Sequence, residues 1–308
     1  MSNRPTTIQE QVVLAPYTTM KVGGPAEYLC LGATVDELVA AWDWARAEKV
    51  PVTMLGAGSN SLVNDAGIRG LVIIPRNAQL VWTPPRVVVG AGAKNGQLIG
   101  AGANHGLGGL SWLLGVPGTA GGSLYGNAGS KEHGLGDYVV WVEIIDGAGQ
   151  RRKLTRAECH FAYRHSIFKT MNVCILQAEL ELPVVDSVQE RATLAAMAKQ
   201  KNSNQPTTAA SAGCMFKNPT VAAEKLPAEL RSFVLPNGTI SAWRLIDHLG
   251  LQGEHIGQVQ VSTQHGNFMI NLGGGTADQV VQLISFVKQQ VRDTLGIQLQ
   301  EEVQYLGF

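Results

Sequence analysis

Apolar positions along this chain fall at two spacings, and together they predict helices alternating with short strands. Val280, Leu283, Ile284, Val287 and Val291 recur at helical spacing, so Thr276–Leu295 reads as one long helix with a single apolar face, ending before Gly296. Val35, Leu38, Val39, Trp42 and Ala45 make a second such face from Val35 to about Glu48, behind Thr34 as a cap. Further helices are expected up to about His105, from about Ser187 to Lys201, and at Ala242–Leu249. Short apolar runs bounded by turn residues read as strands after Gly23-Gly24-Pro25 and at 51–55, 71–74, 87–89, 139–145, 150–154, 173–182, 258–261 and 268–271. The closing IQLQEEVQYLGF reads as a short strand carrying two glutamates. The proline-containing PRNAQLVWTPP marks a first boundary, and the helix from Ser187 opens a third unit.

Between these elements lie glycine-rich stretches for which a packed core has no use. Gly115 to Gly129 reads GVPGTAGGSLYGNAG, six glycines in fifteen positions. Glycine weakens helices and strands, but it supplies backbone that turns with positive φ and exposes bare N–H groups to another molecule. Successive donors of that kind bind anions, above all a pyrophosphate. Gly56 to Leu62, GAGSNSL, has the same character and follows the strand at 51–55. Either stretch alone reads equally well as a tight connection. Together, with Ser59, Asn60, Thr119 and Asn127 close by in sequence, they read as two sides of a dinucleotide cradle. A third stretch, GAGAKNG at 90–96, nearly matches the Rossmann fingerprint. Its last glycine falls one position late and no acidic residue follows in a suitable context, so it reads as the turn into a helix.

Composition narrows the partners. The 24 Lys and Arg balance the 24 Asp and Glu, so no net field favours nucleic acid or a membrane surface. No run of about 18 apolar residues is present to span a bilayer, and MSNRPTTIQEQ lacks the apolar core of a secretory signal. Cys30, Cys159, Cys174 and Cys214 form no CxxC pair, which argues against a metal site or disulfide framework and makes a reducing cytoplasm the expectation. A monomer is expected.

Three clusters offer chemistry. In YRHSIFK, Tyr163 to Lys169, an arginine beside aromatics suits a carboxylate or enolate, because its planar fork makes two charge-assisted bonds. The ordinary alternative is an amphipathic turn with surface cations. In SAGCMFKNP, Cys214 sits beside a glycine and near Lys217, although a cysteine is usually an inert small hydrophobe. Glu301-Glu302 reads by default as a solvated acidic pair. The seven histidines receive no catalytic role, and His265 reads as the brace of a strand end.

Taken in order, GAGSNSLV, GVPGTAGG with NAG, YRHSIFK, SAGCMFKNP, VSTQHGNFMIN and LQEEV resemble the UDP-N-acetylenolpyruvoylglucosamine reductase family, from about Thr18 to the C-terminus. The resemblance implies an α+β fold. A two-subdomain FAD-binding module of the vanillyl-alcohol-oxidase (PCMH) type would occupy 1–78 and 79–186, with the tail 297–308 joining the first subdomain and an α/β substrate-binding domain at 187–296. It implies that NADPH reduces FAD and that hydride passes from flavin N5 to the enolpyruvyl methylene. An enolate-like intermediate is then protonated at C2 to give UDP-N-acetylmuramate for peptidoglycan synthesis. Cofactor contacts would come from Gly56, Ala57, Gly58, Ser59, Asn60, Ser61 and Leu62, and from Gly115, Val116, Pro117, Gly118, Thr119, Gly121, Gly122, Asn127, Ala128 and Gly129. Arg164 matches the family's active-site arginine and Glu302 the glutamate of its L-x-x-E-V setting. Tyr163, Lys201, Lys217 and Asn218 would contact the substrate, Lys201 at its diphosphate.

Two departures stand out. The family's proton donor to C2 is commonly serine, and Cys214 holds that position here. A thiol with a reference pKa of about 8.5 is mostly protonated at neutral pH, yet releases its proton far more readily than an alcohol. The short interval between YRHSIFK and SAGCMFKNP also leaves no room for the tyrosine-bearing substrate loop of the larger family type, so the compact type is expected. An oxidase of small alcohols or hydroxy acids on the same flavin fold would share the glycine loops but have no need of SAGCMFKNP or Glu302. A binding protein that has lost catalysis is opposed by Arg164 and Glu302.

Overall fold

The computed structural model describes residues 4–129, 133–204, 206, 208–221 and 226–308, without the side chains of 200–204. In chain order the strands and helices begin β1 (Ile8–Val13), β2 (Pro25–Gly32), α1 (Val35–Ala47), β3 (Val52–Met54), β4 (Ser61–Val63), β5 (Ile68–Pro75), β6 (Leu80–Thr83), β7 (Arg86–Gly90) and α2 (Asn95–Asn104). They continue with α3 (Ala120–Gly126), β8 (Val139–Asp146), β9 (Arg151–Thr155), β10 (Val173–Glu181) and α4 (Ser187–Asn204). The remainder are β11 (Ala210–Cys214), α5 (Ala242–His248), β12 (His255–Ile256), β13 (Val259–Val261), β14 (Phe268–Asn271), α6 (Ala277–Leu295) and β15 (Gln304–Leu306).

The chain divides into two compact units: Met1–Val12, Ala26–Ala57 and Arg69–Lys201 make the first, and Val13–Pro25, Gly58–Ile68 and Asn202–Phe308 the second. The first holds a four-stranded sheet of order β1-β2-β5-β3 and an antiparallel five-stranded sheet of order β6-β7-β10-β8-β9. Thr34 caps α1 by accepting the Glu37 N–H; of the predicted face Leu38, Trp42 and Ala45 are buried and Val35 and Val39 partly so, with Ala41 and Trp44 buried beside them. That face packs into a core with Leu71 and Ile73 of the first sheet and with Ile145, Cys174 and Leu176 of the second. The Trp42 indole also donates to the Asp146 carbonyl at 2.8 Å. Residues expected in separate subdomains thus share one core, and the boundary expected near residue 78 does not separate the two units. The stretch PRNAQLVWTPP contains β6, which pairs with β7 across Pro84-Pro85.

Helix α4, expected to open the third domain, groups with the first unit through residue 201. The chain leading into it is tied there: the Val185 N–H donates to the Gly106 carbonyl at 2.8 Å, and Leu194 packs on the core of the second sheet.

The second unit holds an antiparallel sheet of order β11-β14-β13-β12, covered by α6. Thr276 and Gln279 form a capping box at the start of α6, and Gly296 ends it in the left-handed region at φ 67°. The Asp65 carboxylate accepts the Ala277 and Asp278 N–H groups at 2.9 and 3.0 Å. Burying Val280, Leu283, Ile284, Val287 and Val291 contributes roughly 1.5–3 kcal/mol for each side chain. The tail, expected to join the first subdomain, pairs in parallel with β4 from that stretch of sequence. Both lie in the second unit, because Leu62, Ile297, Leu299 and Val303 belong to its core.

Leu283 is fully buried in that core. Leu283→Ala is expected to cost about 2–5 kcal/mol in urea-induced unfolding of the second unit. Ser285→Ala, on the exposed face of the same helix, should stay within about 0.5 kcal/mol of the parent.

Candidate functional site

In the first unit, β3 runs parallel to β5, and the Leu55 N–H extends the pairing to the Ile73 carbonyl before the chain leaves into Gly56. A Cβ added at Gly56 would stand 3.2 Å from Thr119 Oγ1, so the two glycine stretches meet there. The second stretch contains helix α3, which sequence periodicity does not show because half of it is glycine and serine. Thr119 caps the helix, its side chain accepting from the Gly122 N–H at 3.4 Å.

The backbone donors divide into two groups. The Ala120, Gly121 and Ser123 N–H groups are engaged by the carbonyls of Ala93, Ala91 and Thr119. Gly121, expected at the cofactor, therefore serves packing: a Cβ there would lie 2.9 Å from the Ala91 Cβ. By contrast, among the described residues the N–H groups of Gly56, Ala57, Gly58, Asn60, Gly118 and Thr119 donate to no protein acceptor. Gly115, Val116 and Pro117 are exposed beside them. Bare main-chain donors at Gly56, Ala57, Gly118 and Thr119, all in the first unit, are what a diphosphate requires, so these residues fit a dinucleotide. The GAGAKNG stretch, rejected as a Rossmann turn, shapes this loop. Asn95 is buried, its N–H donates to the Gly118 carbonyl, its Nδ2 to the Val116 carbonyl at 3.2 Å, and its Oδ1 accepts from Ser123 Oγ at 3.0 Å.

Arg164 sits at the tip of a tight loop closed by reciprocal hydrogen bonds between Ala162 and His165, each 3.0 Å. Its φ of 53° lies in the left-handed region, which a non-glycine residue occupies only where its surroundings impose it. Those surroundings are the NAG turn. Arg164 Nη1 donates to the Gly129 carbonyl at 2.9 Å, and Asn127, itself left-handed at φ 44°, donates from Nδ2 to the Ala162 carbonyl at 2.9 Å. Asn127 Oδ1 accepts the Gly136 N–H at 2.9 Å, and the Ala128 N–H donates to the Ser123 carbonyl. The NAG residues, expected at the cofactor, thus anchor the arginine loop to α3. Ser166 Oγ adds a 2.6 Å bond to the Tyr125 carbonyl. Tyr163 is exposed beside the guanidinium and lines a cavity of about 570 Å³ with His133, Asp137, Arg156 and His160.

In the second unit three separated motifs come together. Cys214 ends β11 opposite Phe268 of β14, after a register shift at Gly213, whose φ is 77°. A Cβ at Gly213 would lie 3.6 Å from the Ser59 carbonyl, which brings the first glycine loop beside the cysteine strand. The Glu302 N–H donates to the Met215 carbonyl at 2.7 Å, and the Lys217 N–H to the Gln300 carbonyl at 2.9 Å. Asn60 Nδ2 donates in turn to the Glu302 carbonyl at 3.2 Å, and the Gln304 N–H to the Asn60 carbonyl at 2.9 Å. Ser61 and Leu62 continue this contact as β4 against β15. The two glutamates part: Glu301 is paired with Lys288 at 2.7 Å on α6, and Glu302 is half-buried. Lys217 is half-buried, and Asn218 Oδ1 accepts the Ala242 N–H at the start of α5, 3.0 Å away.

Cys214 is half-buried, whereas Cys30, Cys159 and Cys174 are buried. Burial pushes all three of those thiols up, Cys159 to about 12. His265 packs tilted against Trp243 and edge-on against Phe268, and burial lowers its pKa. Lys201 falls in α4, but its side chain lies outside the described residues. Among the described residues no cluster of His, Cys, Asp or Glu is arranged to hold a metal ion, and no helix is long and apolar enough to cross a membrane. Sequence reasoning missed Asn95 and Asn267. Their amides act on loops distant in the chain, and the only sequence trace is their place inside GAGAKNG and VSTQHGNFMIN.

Comparison with known proteins agrees with these motifs. Residues 26–155 match the model of an FAD binding domain, and residues 205–306 that of the UDP-N-acetylenolpyruvoylglucosamine reductase C-terminal domain. The chain is 35% identical over 305 residues to UDP-N-acetylenolpyruvoylglucosamine reductase of Synechococcus elongatus, covering 98% of this chain and 95% of the relative. It is 36% identical over 299 residues to the same-named protein of Solibacter usitatus, covering 96% and 95%. The crystal structure of UDP-N-acetylenolpyruvylglucosamine reductase from Thermus caldophilus superposes with a TM-score of 0.78 at 32% identity, covering 97% of this chain and 99% of that one. The α+β fold with an FAD-binding module and a distinct C-terminal domain is as expected.

Gly58 tests the cradle. A Cβ there would lie 2.6 Å from the Tyr17 carbonyl oxygen and 2.7 Å from the Thr18 Cα, on a backbone at φ 64°. Gly58→Ala is expected to weaken FAD binding by about tenfold or more in a fluorescence titration, the equivalent of about 1.4 kcal/mol. Gly100→Ala, where nothing lies within 4 Å, should bind FAD like the parent.

Proposed function

The chain belongs to the UDP-N-acetylenolpyruvoylglucosamine reductase family, and from that premise we propose that it reduces UDP-N-acetylglucosamine enolpyruvate to UDP-N-acetylmuramate with NADPH as the hydride donor, in the cytoplasm, during peptidoglycan precursor synthesis. The observation that supports this most is the meeting of GSNSL, SAGCMFKNP and LQEEV in one hydrogen-bonded frame. Bound FAD would supply two-electron hydride chemistry between NADPH and the enolpyruvyl group.

The protein's own groups do the rest. The N–H groups of Gly56, Ala57, Gly118 and Thr119 would hold the cofactor diphosphate. Arg164 would pair with the substrate carboxylate, where negative charge grows as the enolate develops. Its left-handed backbone costs on the order of 1–3 kcal/mol, and the Gly129 and Asn127 contacts hold the guanidinium ready against that cost. Cys214 would give its proton to C2: the S–H bond breaks, the enolate electron pair takes the proton as the C–H bond forms, and water later restores the thiol. Glu302 would face a costly meeting of anions if it were ionised there, so in the complex it would carry a proton or share one with the intermediate. Asn218 Oδ1 is engaged by the Ala242 N–H, which leaves its NH₂ group, with the Lys217 ammonium, for the UDP-sugar. Tyr163 and Lys201 would also contact the substrate, Lys201 at its diphosphate.

Cys214→Ala is expected to slow turnover about 10²–10⁴-fold with flavin reduction by NADPH unchanged. Cys214→Ser should keep substantial activity. An alanine variant that turns over at the full rate removes Cys214 from the mechanism, and an inactive serine variant shows that the thiol serves another purpose.

A further inference from the structure

We infer that Asn267 is a positioning residue for this reaction, setting the register of Cys214, Lys217 and Glu302; the inference rests on the reading of Cys214 as proton donor. Asn267 is 4% exposed and precedes β14. The β11–β14 ladder reaches Cys214 opposite Phe268 and then gives out. Beyond it, the Met215 N–H donates to the Asn267 carbonyl at 2.8 Å. The Asn267 side chain supplies the next rung, Oδ1 accepting the Phe216 N–H at 2.9 Å and Nδ2 donating to the Phe216 carbonyl at 2.8 Å.

The opposite edge of the same three residues carries the tail, through the Met215 carbonyl to the Glu302 N–H and the Lys217 N–H to the Gln300 carbonyl. Residues 215–217 therefore continue the strand's path as a segment clamped between a carboxamide on one side and the C-terminal glutamate segment on the other. Only a side chain with both a donor and an acceptor satisfies the two Phe216 groups, and Phe216 is 1% exposed, so water does not replace it. Aspartate keeps the acceptor but sets a second oxygen against the Phe216 carbonyl. Without the clamp the strand shifts, and with it the thiol at its start.

The test uses the FAD-loaded enzyme with Asn267→Ala, Asn267→Asp and Cys214→Ala. Stopped-flow absorbance follows flavin bleaching by NADPH, then recovery on adding the enolpyruvyl substrate. Asn267→Ala is expected to slow recovery by about 100-fold, the scale of an ångström-sized misplacement, with bleaching close to the parent rate. Asn267→Asp should fall between, and it decides the matter if the alanine variant fails to hold FAD. Alkylation by iodoacetamide at pH 8 gives a readout apart from turnover. The other three thiols are buried with raised pKa values, so labelling reports Cys214, and its rate should change several-fold in the alanine variant. Recovery and labelling at parent rates in both Asn267 variants, with Cys214→Ala slow, overturn the positioning role alone. Recovery at the parent rate in Cys214→Ala overturns the proton-donor reading itself.

Discussion

The 2.7 Å hydrogen bond from the Glu302 N–H to the Met215 carbonyl is the constraint on which the second unit's chemistry depends. Glu302 stands six residues before the end of the chain and Cys214 far upstream, so nothing in sequence distance relates them. One rung of antiparallel pairing does, and the Asn60 and Gln304 contacts to the Glu302 carbonyl hold the same peptide from its other face. The two side chains proposed for opposite duties, the Cys214 thiol and the Glu302 carboxyl, are thereby placed by main chain rather than by flexible side-chain contacts. Buried backbone pairing of this kind leaves less conformational freedom to lose when a ligand arrives.

In the first unit the decisive question is where backbone donors go. Nearly every buried N–H in a folded protein has a partner. Here the N-terminal turn of α3 obeys that rule through Ala91, Ala93 and Thr119, while the neighbouring N–H groups of Gly118 and Thr119, and those of Gly56 and Ala57, find no protein acceptor among the described residues. The contrast separates glycines that allow close packing, such as Gly121 against Ala91, from those that offer donors. It also shows what a near-miss motif can do: GAGAKNG furnishes the Ala91, Ala93 and Asn95 groups that mould the loop beside it.

How much of this was legible in the sequence varies with how local the physics is. Helices α1 and α6 are readable because cap, period and stop lie within one stretch, and Thr34, Thr276 and Gly296 act as their residue types suggest. Helix α3 is not, since its glycines erase the apolar period, and β6 is hidden between prolines that also form its hairpin. The expected unit boundaries depend on packing: Ile145 and Cys174 join Trp42 and Leu71 in one core, a union no local pattern announces. Arg164, Cys214 and Glu302 could be singled out only through the order of their motifs. Asn267 acts through amide groups whose partners are fifty-one positions away, and no spacing rule points to it.

The account stands or falls on one distance, from Cys214 Sγ to C2 of the enolpyruvyl group, in a crystal structure of the enzyme holding FAD and its substrate. A separation of about 3–3.5 Å, with the S–H directed at C2, is the geometry proton transfer requires and the result this account predicts. A thiol lying well beyond that reach, with another acidic group closer to C2, would contradict it.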